Sequence, residues 1–473
     1  MGIINNMPNY VPQIDEVIKQ YYVYAGTNIT PDTFVEFITG VSSQTTTTHT
    51  YSEKEIDEDS GNAWSMVQAG RISSTKALFV YQLEEGGDYN SGCCRIVSFS
   101  NGTITVHSEY TILSGNSYTD RFWRPQLTML SSTLALLSYR QYSDDTTAYV
   151  MPLVINGNTI TLGSTKAITT LSDLDDNKVY LSAISSTVAH AAYISEDGIE
   201  YRTITCSGTS APTLGTAKTI SVTTPKINTL GANGSNSILC YENNYSTLYC
   251  YKLTGTSTIS STSIGSISFS DNSSWYTDMR LISSTKLAWS AGTGGSSSST
   301  GYCRTQIISL GTSSISLGTR LDVDDYKNTG GIRTTQICEI YNTSTFFALH
   351  YRYASAYQHQ ILKTIAVSGT TLTVGGSYSD GHNDPDGIGL VSLDTDKLVF
   401  LNSYLAYNDY ISVILLKVSS SSIGKSFSTT TTNRETQVRP TTTSKFAGIA
   451  LTSGTGGTST GHKDSVSIVT NRT

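Results

Sequence analysis

The phrase Leu281-Ile-Ser-Ser-Thr-Lys-Leu-Ala-Trp-Ser290 recurs as Arg71-Ile-Ser-Ser-Thr-Lys-Ala-Leu-Phe-Val80 and as Met129-Leu-Ser-Ser-Thr-Leu-Ala-Leu-Leu-Ser138. It reads as a strand, a tight polar turn and a returning strand. Aligned on the last turn residue, copies fall at Thr75, Thr133, Thr187, Asn236, Thr285, Thr345 and Asp396, at intervals of 49 to 60 residues. Three copies are degenerate, yet each still separates two apolar runs. A Tyr stands six residues past the turn in four of the seven copies: Tyr81, Tyr139, Tyr193 and Tyr351. A short phrase returning at such an interval means an array of like units that bury their faces against one another.

Each unit carries four strand signals. One precedes the turn and one follows it. The third comes after a longer polar loop, as in His359-Gln-Ile-Leu-Lys-Thr-Ile-Ala-Val367. The fourth follows a Gly/Ser/Asn turn in a near-constant form, as in Asn101-Gly-Thr-Ile-Thr-Val106, Asn158-Thr-Ile-Thr-Leu162 and Gly369-Thr-Thr-Leu-Thr-Val374. Asn-Gly between alternating apolar residues is a strong hairpin signal. Four antiparallel strands in each of seven units predict an all-β fold, a seven-bladed β-propeller. A β-solenoid would need shorter, more uniform rungs and fewer long loops.

The composition agrees. Charged residues make up only 14% of the 473-residue chain, while Tyr alone supplies 30 positions. Aromatic and β-branched residues suit a pleated surface. The net charge of -7 and the absence of any Lys/Arg run argue against nucleic acid as a partner. No apolar run is long enough to span a bilayer as a helix, so no membrane is expected. The first residues show no secretory leader. The seven cysteines (Cys93, Cys94, Cys206, Cys240, Cys250, Cys303 and Cys338) are odd in number, and most sit in strand-like runs. They read as buried free thiols.

The two ends read differently from the array. Tyr22 to Ile38 holds two strands around an Asn/Pro/Asp turn; Lys445 to Thr470 holds two more around a Gly-rich turn. Isolated strand pairs are marginal in water, so the ends are expected to pair into one small β-domain carrying the propeller as an insertion. The expected divisions are 1–50 for its first half, 51–63 for an acidic linker, 64–431 for the propeller, 432–444 for a second linker and 445–473 for the second half.

The pieces Ala25-Gly-Thr-Asn-Ile-Thr-Pro-Asp-Thr-Phe-Val-Glu36 and Gly448-Ile-Ala-Leu-Thr-Ser-Gly-Thr-Gly-Gly457 resemble a motif pair of bacteriophage virion proteins. There, a small β-barrel of capsid-decoration and tail-associated proteins attaches the chain to the particle. The resemblance implies a non-enzymatic structural protein of the virion, assembled in the bacterial cytoplasm. Its partners would be capsid, collar or tail subunits, and Phe34, Val35, Phe37, Phe446, Ile449 and Leu451 would form the anchoring surface. The propeller lacks the Trp-Asp, kelch and Asp-box signatures.

In a propeller the loops from second to third strands share a face with the loops between blades. Here they are rich in Tyr, Asn and Asp. Tyr89, Trp123, Tyr142, Tyr245, Trp275, Tyr326, Tyr357 and Tyr407 are the candidate ligand-binding residues. Aromatic rings stack on sugar faces, and Asn and Asp bond hydroxyls, so host-surface carbohydrate is the expected ligand. The same rings could instead pack the loops or meet other subunits, leaving a pure scaffold. Acidic clusters at Asp173, Asp175 and Asp176, at Asp322, Asp324 and Asp325, and at Asp380, Asp384 and Asp386 admit a third reading, a glycoside hydrolase or depolymerase. No catalytic motif accompanies them. No cofactor and no metal are expected, and His190 and His350, inside apolar second strands, read as structural.

Overall fold

The computed structural model describes residues 63–85, 89–100, 103–115, 121–141, 147–168, 171, 178–243, 247–268, 274–293, 301–326, 332–353, 360–379, 385–404 and 411–425. It also describes the strand segments 21–25, 34–38, 50–51, 53–57, 427–428, 437–440, 448–450 and 465–469. The chain divides into two compact units, one of residues 1–50 with 427–473 and one of 51–426.

The larger unit is a seven-bladed β-propeller of four-stranded antiparallel blades, and no helix occurs among the described residues. The blades begin with the strands Ala63–Ser73, Phe122–Ser131, Tyr180–Ala183, Pro225–Asn233, Ser274–Ser283, Ile332–Glu339 and Pro385–Asp394. These first strands neighbour one another in chain order, and that of blade 7 lies against that of blade 1, so the ring is closed. The core is seven apolar layers, one between each adjacent pair of blades. Second strands are covered on both faces, which is why Leu134–Gln141 is buried almost throughout. Fourth strands Thr103–Val106, Thr159–Leu162 and Thr371–Tyr378 open with one alternating pattern, exposed then buried then exposed. Half-buried edge strands require that alternation.

The repeated phrase has a mechanical reason. In blade 1 the Thr75 amide donates to Ser73 Oγ at 3.2 Å, and Thr133 and Ser131 do the same in blade 2 at 3.1 Å. A hydroxyl thereby closes the turn in place of a backbone group. The carbonyl of the last turn residue then accepts an amide from the end of the third strand at 2.7–2.9 Å in six blades. The turn therefore locks three strands together.

The recurrent Tyr also has a role. Tyr81 donates its hydroxyl to Glu109, which pairs with Arg95 at 3.1 Å. Tyr193 donates to Glu200 at 2.6 Å, beside Arg202 at 3.2 Å from the same carboxylate. Tyr351 donates to Asp324 of the preceding blade at 2.8 Å, with Lys363 at 3.3 Å from that oxygen. Each clasp satisfies a buried phenol with a charged partner. Tyr139 departs from this and stacks on Tyr149 with ring centroids 5.7 Å apart.

Part of the stretch 51–63, expected as an acidic linker, is a strand that completes the ring. The fourth strand of blades 1, 2, 3 and 5 is split into two segments that pair with successive parts of the third strand. In blade 7 the first segment is Ile423–Lys425, and the second comes from the other end of the propeller, Glu53–Asp57. This acidic stretch reads as linker in the sequence because Glu-Lys-Glu-Ile-Asp has low strand propensity. Charged residues are, however, what an outer edge strand tolerates.

In the smaller unit five strands pair in the closed order Tyr21–Ala25, Gln437–Pro440, Phe34–Ile38, Gly448–Ala450 and Ser465–Val469. Phe34 is the register partner of Ile449, and Val35 that of Gly448 and Pro440. Phe446 and Leu451 lie outside the described residues.

Blade 7 approaches blade 1 at Gly389, where an added Cβ would stand 2.7 Å from Val67 and 3.3 Å from the Phe79 ring. Gly389→Val is expected to lower unfolding free energy by about 1–3 kcal/mol through overpacking, read as a lower denaturation midpoint in urea. An unchanged midpoint would contradict a tightly packed seam.

Candidate functional site

Antiparallel pairing sets the beginnings of first and third strands beside the ends of second strands, on the rim opposite the repeated turn. Six of the seven first strands carry a register shift near that beginning: Ser65/Gln68, Trp123/Gln126, Ile227/Thr229, Ser274/Tyr276, Ile332/Thr334 and Pro385/Gly387. Bulges re-aim side chains and concentrate beside functional sites. Met66 and Arg124 lie inside two of these bulges with φ of 50° and 51°, and Thr224 has φ 50° immediately before Pro225. A β-branched residue in the left-handed region, and before proline, is doubly disfavoured. The surrounding packing must hold it there.

Polar side chains collect at the same level. Gln82, Arg140 (2% exposed), Glu242 (8%) and Asn402 are buried near the ends of otherwise apolar second strands. Gln82 stands opposite Ser65 and Arg140 opposite Trp123, both at bulges. In blade 4 Asn228, the bulged residue, donates its amide to Glu242 Oε1 at 2.7 Å. Its own Oδ1 is buried without a hydrogen-bond partner among the described residues. Lys226 faces Glu242 in register and reaches Thr277 Oγ1 of blade 5 at 3.0 Å. Tyr180 of blade 3 donates to the Ile227 carbonyl at 2.7 Å, with Lys178 over its ring at 4.8 Å. Blades 3, 4 and 5 thus share a fixed set of carboxylate, amide, ammonium and hydroxyl groups. Such a set offers both hydrogen-bond donors and acceptors.

Nearer the repeated turn, Asp278 lies 3.7 Å from Arg280 and accepts the Ile337 amide at 2.7 Å. The Asp278 charge raises the Arg280 guanidinium above its ordinary pKa.

Of the eight aromatic residues the sequence nominates for ligand binding, Trp123 is the one whose side chain is described. It is half-buried in the first strand of blade 2, with the Arg124 guanidinium 5.1 Å from its ring centroid. Tyr89, Trp275 and Tyr326 fall within strands, and their side chains lie outside the described part. Tyr142, Tyr245, Tyr357 and Tyr407 lie wholly outside it. Asp322 and Asp324 are not on a loop between blades. They belong to the strand Leu321–Tyr326, where Arg304 holds Asp322 at 3.2 Å and Tyr351 and Lys363 hold Asp324. No group of three or more His, Cys, Asp or Glu placed to hold a metal ion occurs among the described residues. The polar residues Gln82, Arg140, Glu242 and Asn402 share a signal in the sequence, a polar side chain six or seven residues past the repeated turn.

No family model matches the chain, and no curated protein matches it. Solved structures similar to it include a Bacteroides uniformis protein provisionally named a 6-phosphogluconolactonase, at 12% identity, covering 73% of this chain and 94% of that one, with a TM-score of 0.46. A hypothetical selenium-binding protein from Sulfolobus tokodaii is 9% identical over 80% of this chain and 92% of its own, with a TM-score of 0.46. The Nup133 β-propeller domain of Vanderwaltozyma polyspora is 11% identical over 76% and 99%, with a TM-score of 0.40. Likenesses this distant assign no activity to the chain.

Two buried histidines bridge blades, His190 on the side of the repeated turn and His350 toward this rim. His190 contacts Ser237 Oγ at 2.9 Å and the Gly255 carbonyl at 2.8 Å, both in blade 4. His350 contacts Gln360 Oε1 at 3.2 Å, and Gln360 donates to Asn402 of blade 7. Burial lowers the His350 pKa from 6.5 to about 3. Between those values the unfolded chain binds a proton that the folded chain refuses. The contribution of this group is therefore whole above pH 6.5 and is lost as pH falls towards 3. His350→Gln is expected to flatten the acid-side decline in melting temperature; slopes equal to wild type would contradict the neutral buried imidazole.

Proposed function

We propose that the chain is a non-enzymatic structural protein of a bacteriophage particle. In this reading the unit of residues 1–50 and 427–473 is a small split β-domain that anchors the chain to capsid, collar or tail subunits. Phe34, Val35, Phe37, Phe446, Ile449 and Leu451 contribute to its surface. The propeller rim that carries the bulges contacts carbohydrate on the host surface. The supporting observation is that the two sequence pieces resembling the virion motif pair contribute register-paired strands, Phe34 opposite Ile449. For the rim, the support is the fixed set of hydrogen-bond donors and acceptors around Asn228 and Glu242 and the half-buried indole of Trp123.

The test is binding of the purified full chain to a panel of bacterial surface polysaccharides. Saturable binding is expected, weakened about tenfold or more by Trp123→Ala at an unchanged melting temperature, since ring stacking and its hydrogen bonds supply of order 1.4 kcal/mol or more. No new reducing ends are expected. Release of reducing ends would replace this reading with a depolymerase, and silence across the panel would leave a scaffold without a carbohydrate ligand.

A further inference from the structure

Cys240 and Cys250 stand directly opposite each other on the second and third strands of blade 4. Their Sγ atoms are 2.7 Å apart and both side chains are fully buried. Unbonded heavy atoms rest about 3.5–4.0 Å apart, so the sulfurs are in forced contact. The backbone alone also meets the requirement for a bond. Opposed residues of an antiparallel ladder have Cα atoms about 4.5 or 5.5 Å apart, inside the range of about 4.4–6.8 Å that disulfides span.

No other layer holds two of the thiols. Cys93 and Cys94 are adjacent in one strand and face opposite sides, one in the layer with blade 7 and one in the layer with blade 2. Cys206, Cys303 and Cys338 each occupy a different layer again. Cys240 and Cys250 alone share one, between blades 4 and 5, with Ile238, Leu248 and Trp289.

We propose that Cys240 and Cys250 are an oxidisable pair that a peroxide closes into a cross-strand disulfide. One thiolate attacks the O–O bond of hydrogen peroxide, forming a sulfenic acid, and the expelled hydroxide takes up a proton as water. The second thiol displaces the sulfenic oxygen as a second water and forms the S–S bond. Two thiols and one peroxide thus give one disulfide and two waters. Burial and the neighbouring thiol raise the Cys240 pKa, so thiolate is scarce once blade 4 has packed. Closure therefore belongs to folding or to transient opening of the blade, and the finished bond is shielded from reductants. It would staple the hairpin that carries Glu242 two residues from the bond, independently of what the rim binds.

The chain, prepared under reductant, is treated with hydrogen peroxide in two ways, as folded protein and during refolding from urea. It is then denatured, alkylated and digested with trypsin. Residues 227–252 form one tryptic peptide holding Cys240 and Cys250 and no other cysteine. In the refolded sample this peptide is expected two hydrogens lighter than the reduced form and free of alkyl groups. That sample is also expected to melt at least about 2 °C above the same protein after dithiothreitol. Cys240→Ser, or Cys250→Ala should that variant fold better, is expected to abolish this melting difference. Alkylation of both cysteines in both treatments, or linkage of either to a different peptide, would overturn the proposal.

Discussion

The seam between blade 7 and blade 1 holds the propeller. A blade buries its faces only against its neighbours, so an open array of seven leaves two apolar faces in water. Here those faces meet: Val391, Leu393, Val399, Leu401 and Val413 pack on Val67, Phe79, Tyr81 and Val97. Arg71 of blade 1 reinforces the join. Its Nε donates to the Leu393 carbonyl of blade 7 at 2.7 Å, and its guanidinium lies 3.5 Å over the ring of Tyr341 from blade 6. Tyr341 in turn donates its amide to Ser392 Oγ of blade 7 at 2.9 Å. One side chain thus ties three blades.

The same seam brings the two ends of the propeller chain together. Glu53 pairs opposite Ile414 and Lys425 opposite Leu416. The chain therefore begins and leaves the propeller two positions apart along one strand, about 7 Å at the usual strand rise. Closing the last blade with the first strand segment covers the open edge of its third strand and sets the first and last strands of the propeller side by side.

The repeat was legible because its turn is a physical device: a hydroxyl closes the turn and a carbonyl fastens the third strand, so Ser and Thr recur at fixed offsets. Strand number and blade number follow from it. The segment 53–57 was not legible as a strand, since Glu-Lys-Glu-Ile-Asp carries no apolar alternation and its partner lies at the far end of the ring. The Tyr clasps showed only as a recurring Tyr, because their acids come from three different places: an outer bulge, a third strand and the previous blade. Of the candidate site, the sequence pointed to aromatic loops, and Trp123 is the member found with a described side chain at the bulged rim. The rim's polar set was hidden because bulge positions depend on register between strands, which spacing along one strand does not reveal. Asn228 is an ordinary strand residue until the bulge turns it toward Glu242.

Glu53–Asp57 completes blade 7. Glu55 is the register partner of Ser412. A double variant, Glu55→Cys with Ser412→Cys, oxidised at low protein concentration and resolved as a monomer, tests the pairing directly by peptide mapping. Closure by this strand predicts an intramolecular disulfide between the two introduced thiols that raises the melting temperature, with neither single variant showing it. Free alkylation of both introduced thiols, or cross-links formed only between molecules, would contradict the closure described above.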